Sequence, residues 1–360
     1  MTAPAKANGL KLMLKRICTL LLLVPSMVKA VPLPSLLDDI MAQQAPDQPG
    51  LSVLVRHHDK VIYQRSEGLA NRHTGQAITA DTGFRLGSIS KPFTAVAIMR
   101  LAEQGRLSLG HQVSRYIPTL PTVWQSITLE DLLAHRVFLS QDFFADDNLS
   151  LADGADNATL VTFLSSDELI VRPLEGGRGI YCNSCYVLLA EVVSQVSKIP
   201  FADFLQREVF EPAQMVHSHI VASGKALAAS DALNYAQTRT FLGIRQYTTG
   251  AMAQVSSVSD LNRFIRALKA GRIVRSDTLT QMTRIHGDLG EDGVYGLGWF
   301  IGPGKQPFFA HGGSQDGYQT ELFIDPQHDL EVVILSNGGE TTYALQVQIM
   351  RTVLQSIRGE

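Results

Sequence analysis

Strand-like segments gather at the two ends of this chain, and the stretch between them is mainly helical and rich in loops. Near the start, "GLSVLVRHHDKVIYQRSEGLAN" alternates apolar and polar residues on either side of His58-Asp59-Lys60, the pattern of a hairpin. Near the end, "YGLGWFIG", "QPFFAHGG" and "YQTELFIDPQHDLEVVILSNGG" read as strands, with Asp325-Pro326-Gln327 marking a second hairpin. Between them, "TLEDLLAHRVFL", "SCYVLLAEVVSQVS" and "FADFLQREVF" read as helices, the second with apolar residues clearly at helical spacing. A short helical pattern, "SLLDDIMAQQ", precedes the first strand. Another helix, "SVSDLNRFIRALKAG", starts from a cap at Ser257 or Ser259 and stops at Gly271, and a last one runs from about Thr342 to Ile357. The expected fold is therefore α+β: one antiparallel sheet built from both chain ends and flanked by helices, with a helical domain inserted. The sheet-bearing part covers about 31–95 and 247–360, and the helical part about 96–246.

Where the first helix after the N-terminal hairpin begins, "FRLGSISKPFTAVAIMRLAEQG" places Ser88 and Lys91 three residues apart. Residues at that spacing share a helix face, so the Lys91 amine reaches the Ser88 hydroxyl. A serine hydroxyl is a poor nucleophile until a neighbour takes its proton. A lysine can do so only if burial or nearby cations bring its pKa down from about 10.4. Pro92, Phe93 and "TAVAIM" supply apolar surroundings for the Lys91 stem. The spacing alone is weak, because S-x-x-K arises about once by chance in a chain of this length, and Ser26 with Lys29 repeats it.

Two further motifs add to it. Tyr181-Cys182-Asn183 is the only Y-x-N in the chain and lies between a glycine-rich turn, "EGGRGI", and an apolar helix. A phenol beside a depressed lysine can pass the serine proton to a leaving group, and an asparagine there can bind the lysine or a substrate amide; a tyrosine packed on the core is the commonplace alternative. His311-Gly312-Gly313 follows a strand pattern and precedes Ser314. Its backbone can face the Ser88 N–H and hold an oxyanion, the glycines permitting close approach.

Serine with lysine, then Tyr-x-Asn, then a residue-Gly-Gly strand resembles the penicillin-recognising serine hydrolases, in particular the class C β-lactamase-like family with its esterases and D-amino-acid peptidases. The similarity extends to "ADTGFRLGSISKPFTAVAIMRLAEQGRLSL", "SITLEDLLAH", "QVSSVSDLNRFIRALKAG" and "YGLGWF" and covers nearly everything after about Gly50. It implies one β-lactamase/transpeptidase-like hydrolase domain over 31–360, acting on a small-molecule or peptide acyl substrate without metal or organic cofactor. Ser88 would be the acylated nucleophile and Lys91 its proton acceptor. Tyr181 would relay the proton, Asn183 would position substrate, and the Ser88 and Ser314 N–H groups would form the oxyanion hole beside His311, Gly312 and Gly313. Two departures matter. Family β-lactamases and transpeptidases usually carry Lys-Thr-Gly or Lys-Ser-Gly where this chain has His311-Gly312-Gly313, and a neutral histidine followed by glycine offers neither cation nor hydroxyl to a β-lactam carboxylate. "LLAHRVFLSQ" also lacks the His-x-Ser-Gly loop that relatives usually carry. An esterase, amidase or peptidase is the expected activity. A class C-type β-lactamase and a non-hydrolysing penicillin-binding or sensory module are the alternatives.

The first thirty residues carry Lys11, Lys15 and Arg16, an apolar run from Ile17 to Val24, and a small-residue end at Val28-Lys29-Ala30. This reads as a secretory signal cleaved near Ala30, with translation starting at Met1 or Met13, and predicts an exported, periplasmic or secreted protein. The run is too short to span a bilayer, so no stable membrane insertion is expected. A net charge of −3 argues against binding nucleic acid. Cys182 and Cys185, one helical turn apart, fall within disulfide range, but bridges closing so short a loop are often strained, so two free buried thiols are expected, with the bridge as the alternative. Without a second C-x-x-C or a suitably spaced histidine, a zinc site is not expected.

Overall fold

The computed structural model describes residues 31–145, 155–221, 227–235 and 248–359. The expected signal segment 1–30 lies outside the described residues, as does the 146–154 part of an acidic stretch expected to be a solvated loop. The N-terminal hairpin joins β1 (Leu51–His57) to β2 (Lys60–Glu67). His58 and Asp59 both adopt positive φ, +46° and +57°, which matches the twist that a two-residue hairpin turn requires. Six more strands follow late in the chain: β3 (Gly287–Asp288), β4 (Val294–Tyr295), β5 (Phe300–Ile301), β6 (Phe309–Gln315), β7 (Tyr318–Asp325) and β8 (Leu330–Ser336). All eight form one sheet in the order β3-β4-β5-β6-β7-β8-β1-β2, with every pairing antiparallel. The two chain ends meet where β1 pairs with β8, Leu51 opposite Ser336 and His57 opposite Leu330.

Being central, β8 is buried along its whole length, which explains why "LEVVILS" is apolar on both faces rather than alternating. Val332 and Ile334 face a layer made by α1 (Leu33–Met41) and α5 (Glu340–Arg358), with Leu37, Met41, Ile349 and Val353. Val333 and Leu335 face the other core, which α2 (Ser90–Glu103), α3 (Asn183–Ser197) and α4 (Val258–Lys269) share. Phe93 of α2 stacks on Phe264 of α4 with ring centroids 3.9 Å apart, and α3 lies against α2 on its far side. Ser257 caps α4 by accepting from the Asp260 N–H, and Gly271 follows its end at φ +67°.

Two features differ from the sequence reading. "TLEDLLAHRVFL" is not one helix: a capping box of Thr128 and Asp131 starts a short helix, Leu129–Leu133, and Val137–Leu139 is a strand paired with Val171–Pro173. The break lies at His135, which takes the left-handed conformation (φ +59°) that no helix interior tolerates. Also, α2 runs unbroken across the expected boundary at 95–96. A three-stranded sheet of Phe84–Arg85, Gln254–Ser256 and His219–Ile220 further stitches the middle of the chain to its ends. Among the described residues no single helix is long and apolar enough to cross a membrane; one pair bent by 79°, Asn183–Ser197 with Phe201–Ala213, passes by length and composition, and α3 within it is a core helix.

Candidate active site

Ser88 sits in a tight 3-10 turn, Gly87–Ile89, that leads directly into α2. Lys91 and Pro92 follow in the first turn of that helix, where Pro92 lacks only an N–H that would have no intrahelical partner. The Lys91 stem enters the core between α2 and α3, and the whole residue is buried. Burial pushes its pKa well below the usual lysine range, opposed by the Asp142 carboxylate. Its Nζ lies 3.1 Å from Ser88 Oγ, 2.7 Å from Asn183 Oδ1 and 3.3 Å from the Ala251 carbonyl. An ammonium would donate to all three. A neutral amine has two N–H bonds and one lone pair: the hydrogens suit the two carbonyl oxygens, and the lone pair is left for the Ser88 hydroxyl proton.

Asn183 and Tyr181 come from the start of α3. Tyr181 lies under Lys91, whose Nζ is 4.7 Å from the ring centroid. Burial raises the pKa of the phenol, and Ser88 eases that rise as a hydrogen-bonding neighbour. The Tyr181 hydroxyl itself is buried without a hydrogen bond of normal geometry.

The oxyanion side is built by glycine. A Cβ on Gly313 would stand 2.0 Å from the Leu86 carbonyl and 2.4 Å from Thr320 Oγ1, and one on Gly87, already at φ +53°, 3.0 Å from the Ser314 nitrogen. The backbones of β6 and of the Ser88 turn therefore touch only because both positions lack side chains. Thr320 of β7 fastens the contact by donating to the Leu86 carbonyl at 2.8 Å. This brings the main chains of Ser88 and Ser314 together, while the Ser314 hydroxyl accepts from Gln319 Nε2 at 3.0 Å.

His311 is fully buried. Its Nδ1 donates to the Gly312 carbonyl at 2.7 Å, which leaves Nε2 to accept from the Tyr295 hydroxyl at 3.0 Å. Burial and then Lys91 push its pKa down to about 3, so it is a neutral residue turned into the core rather than a cation turned towards a ligand. Gly312 lies beside it in β6. The structure thus assembles Ser88, Lys91, Tyr181 and Asn183 round one point, with the His311–Ser314 strand alongside.

Sequence reasoning missed several supports. The Ala251 carbonyl is carried by a buried segment that Thr94 anchors by donating to the Gly250 carbonyl at 2.7 Å, and a backbone carbonyl leaves no mark in a sequence. His135 accepts from the Cys182 N–H at 3.1 Å, and its ring centroid stands 4.5 Å from those of Tyr181 and Tyr295. Burial and then Lys91 hold His135 well below the usual histidine range, hence neutral. Asp142, the carboxylate that Lys91 feels, accepts from Ser184 Oγ at 2.7 Å. Among the described residues no group of three or more His, Cys, Asp or Glu could hold a metal ion.

An antiparallel sheet closed by the chain ends, with a serine in the turn that opens a helix and a lysine in that helix's first turn beneath an inserted helical layer, defines the β-lactamase/transpeptidase-like fold. The β-lactamase family model matches residues 36–352, and the chain belongs to that family. It is 29% identical over 315 residues to penicillin-binding protein 4* of Bacillus subtilis, covering 81% of this chain and 68% of that protein. Proteins named flp from Staphylococcus aureus also match, and the chain spans only 59% of their length. Among solved structures, D-amino acid amidase from Ochrobactrum anthropi SV3 superposes with a TM-score of 0.75 at 22% identity, over 91% of this chain and 98% of that one. A class C β-lactamase from Rhodobacter sphaeroides superposes with a TM-score of 0.69 at 24% identity, over 91% and 99%. At such identities the structures bear on the fold alone.

Proposed function

We propose that the protein is an exported serine hydrolase that cleaves an ester or amide through an acyl-enzyme on Ser88. The observation that carries this reading is Lys91: buried, its pKa pushed well down by that burial, and bonded to two carbonyl oxygens so that, as the neutral amine, its lone pair can take the Ser88 hydroxyl proton. In the acylation step Ser88 Oγ attacks the substrate carbonyl as its proton passes to Lys91 Nζ. The oxygen that becomes negative is held by the Ser88 and Ser314 N–H groups. The intermediate collapses when the leaving group departs with a proton delivered through Tyr181, and Lys91 returns to the neutral amine. Water then repeats the sequence on the acyl-enzyme.

The neutral, inward-turned His311 favours a substrate without a carboxylate beside the scissile bond, because the residue in the third-motif position brings no cation. It therefore supports an esterase, amidase or peptidase over a β-lactamase. The basic and then apolar leader supports export, and a disulfide between Cys182 and Cys185 suits an oxidising compartment.

Intact-protein mass spectrometry tests the reading, with a fluorophosphonate, a p-nitrophenyl ester and nitrocefin as probes beside a Ser88→Ala variant. The expected result is a fluorophosphonate adduct on Ser88, rapid ester turnover and no nitrocefin hydrolysis. Efficient nitrocefin turnover would restore the β-lactamase, and stable acylation without release would indicate a non-hydrolysing penicillin-binding module. Equal labelling of wild type and variant would show that Ser88 is not the nucleophile.

A further inference from the structure

Cys182 stands between the two residues that α3 presents to Lys91, Tyr181 before it and Asn183 after it. It is held at two points. Its N–H donates to His135 Nδ1 at 3.1 Å, and its Sγ accepts from the Cys185 N–H at 3.1 Å while bonded covalently to Cys185 Sγ. Cys182 is therefore the cap of α3, and the bridge makes that cap covalent.

A C-x-x-C pair at a helix start is also the arrangement of thiol–disulfide exchange. Here Cys182 is only 4% exposed and Cys185 0%, so neither sulfur is open to an attacking thiolate. Stabilisation of the whole chain is a poor account too, since closing so short a loop removes little entropy from the unfolded state. What the bridge does constrain is local: the backbone from which the Tyr181 phenol and the Asn183 amide reach the buried amine.

We propose that the Cys182–Cys185 disulfide is a positioning device of the active site, which fixes the turn between Tyr181 and Asn183 so that both stay in register with Lys91. The proposal rests on the reading of Ser88 and Lys91 as nucleophile and base. It makes activity dependent on the bridge. Without the bridge, the Asn183 carbonyl slackens on Lys91.

The test compares wild type with Cys185→Ala, which removes the bridge and leaves the Cys182 thiol at the cap, and with Cys182→Ser/Cys185→Ala, which also removes it but puts a stronger hydroxyl acceptor there. Each protein is first titrated with a fluorophosphonate, so that rates are expressed per reactive Ser88 and any unfolded fraction drops out. Substrates are a p-nitrophenyl ester and the matching p-nitroanilide. Both variants are expected to lose about 10- to 100-fold in kcat, the order that a small misplacement of reacting groups produces. The acid limb of kcat/KM should also move to lower pH, because the slackened carbonyl no longer favours the Lys91 ammonium. Normal kcat and an unmoved limb in both variants, even with a lowered Tm, would overturn the proposal by leaving the bridge a purely structural role. Full recovery in the serine-capped variant would overturn it as well, assigning the effect to the cap. Failure of the fluorophosphonate to label Ser88 in oxidised wild type would instead remove the hydrolase reading, and the proposal with it.

Discussion

At the scale of single residues, the site turns on one buried amine whose pKa is pushed well down. Lys91→Met keeps a long, apolar-stemmed side chain and removes the base, so kcat/KM is expected to fall by about 10²–10⁴-fold. The same change should raise stability at neutral pH, because a folded lysine with a depressed pKa binds fewer protons than the unfolded chain does. The sign follows from that difference. Between the folded pKa and the unfolded value near 10.5 the unfolded state holds the extra proton, so wild-type stability rises with pH through that window. Lys91→Met should lack that rise, and thermal melts of both proteins from pH 7 to 10 measure it; parallel curves would mean that Lys91 is charged in the folded protein. Tyr181→Phe separates the relay from the base. A p-nitrophenolate leaves without a proton whereas an anilide does not, so the variant should lose about 10²–10⁴-fold on a p-nitroanilide and far less on the ester. Equal losses on the two substrates would show that Tyr181 does not protonate the leaving group.

At the scale of elements, much was legible because local chemistry dictates it: the His58-Asp59 hairpin, the Ser257 cap and the apolar face of α3 each follow from residues a few positions apart. The misreading of "TLEDLLAHRVFL" has a physical cause, since nothing local announces that His135 will take a left-handed turn whose carbonyl accepts from the Ile180 N–H at 2.8 Å. The oxyanion side was legible only as a pair of glycines. That Gly313 must lack a side chain because Leu86, more than two hundred residues earlier, passes within van der Waals contact is a fact of tertiary structure. A methyl group there must push β6 away from the Ser88 turn. Gly313→Ala is therefore expected to cost about 10²–10³-fold in kcat, the loss typical of one missing oxyanion donor. An unchanged kcat in steady-state ester kinetics would mean that the two backbones can separate without consequence.

At the scale of the whole molecule, the order of motifs along the chain foretold which residues would meet, but not what holds their segments together. Lys91 meets Asn183 and the Ala251 carbonyl across 92 and 160 residues, distances over which no periodicity carries information. A sheet made from two chain ends must also be fastened where those ends join the middle. Asn337, just past β8 and fully buried, does this through one side chain. Its Oδ1 accepts from the Gly50 N–H at 2.9 Å, and its Nδ2 donates to the carbonyls of Leu69 at 3.0 Å and Leu233 at 2.8 Å. The residue before β1, a residue just past the N-terminal hairpin and one late in the middle of the chain thus share one amide, and nothing local in "SNGG" announces it. Asn337→Ala would leave one main-chain donor and two acceptors without partners, at a cost of about 2–5 kcal/mol. On a domain of this size that lowers Tm by on the order of 5 °C or more. Because the Asn337 side chain bonds none of Ser88, Lys91, Tyr181 and Asn183, ester turnover per fluorophosphonate-reactive Ser88 should survive well below the melt. A Tm equal to wild type would show that solvent or a neighbouring group replaces the amide, and that the chain ends are held by the β1–β8 ladder alone.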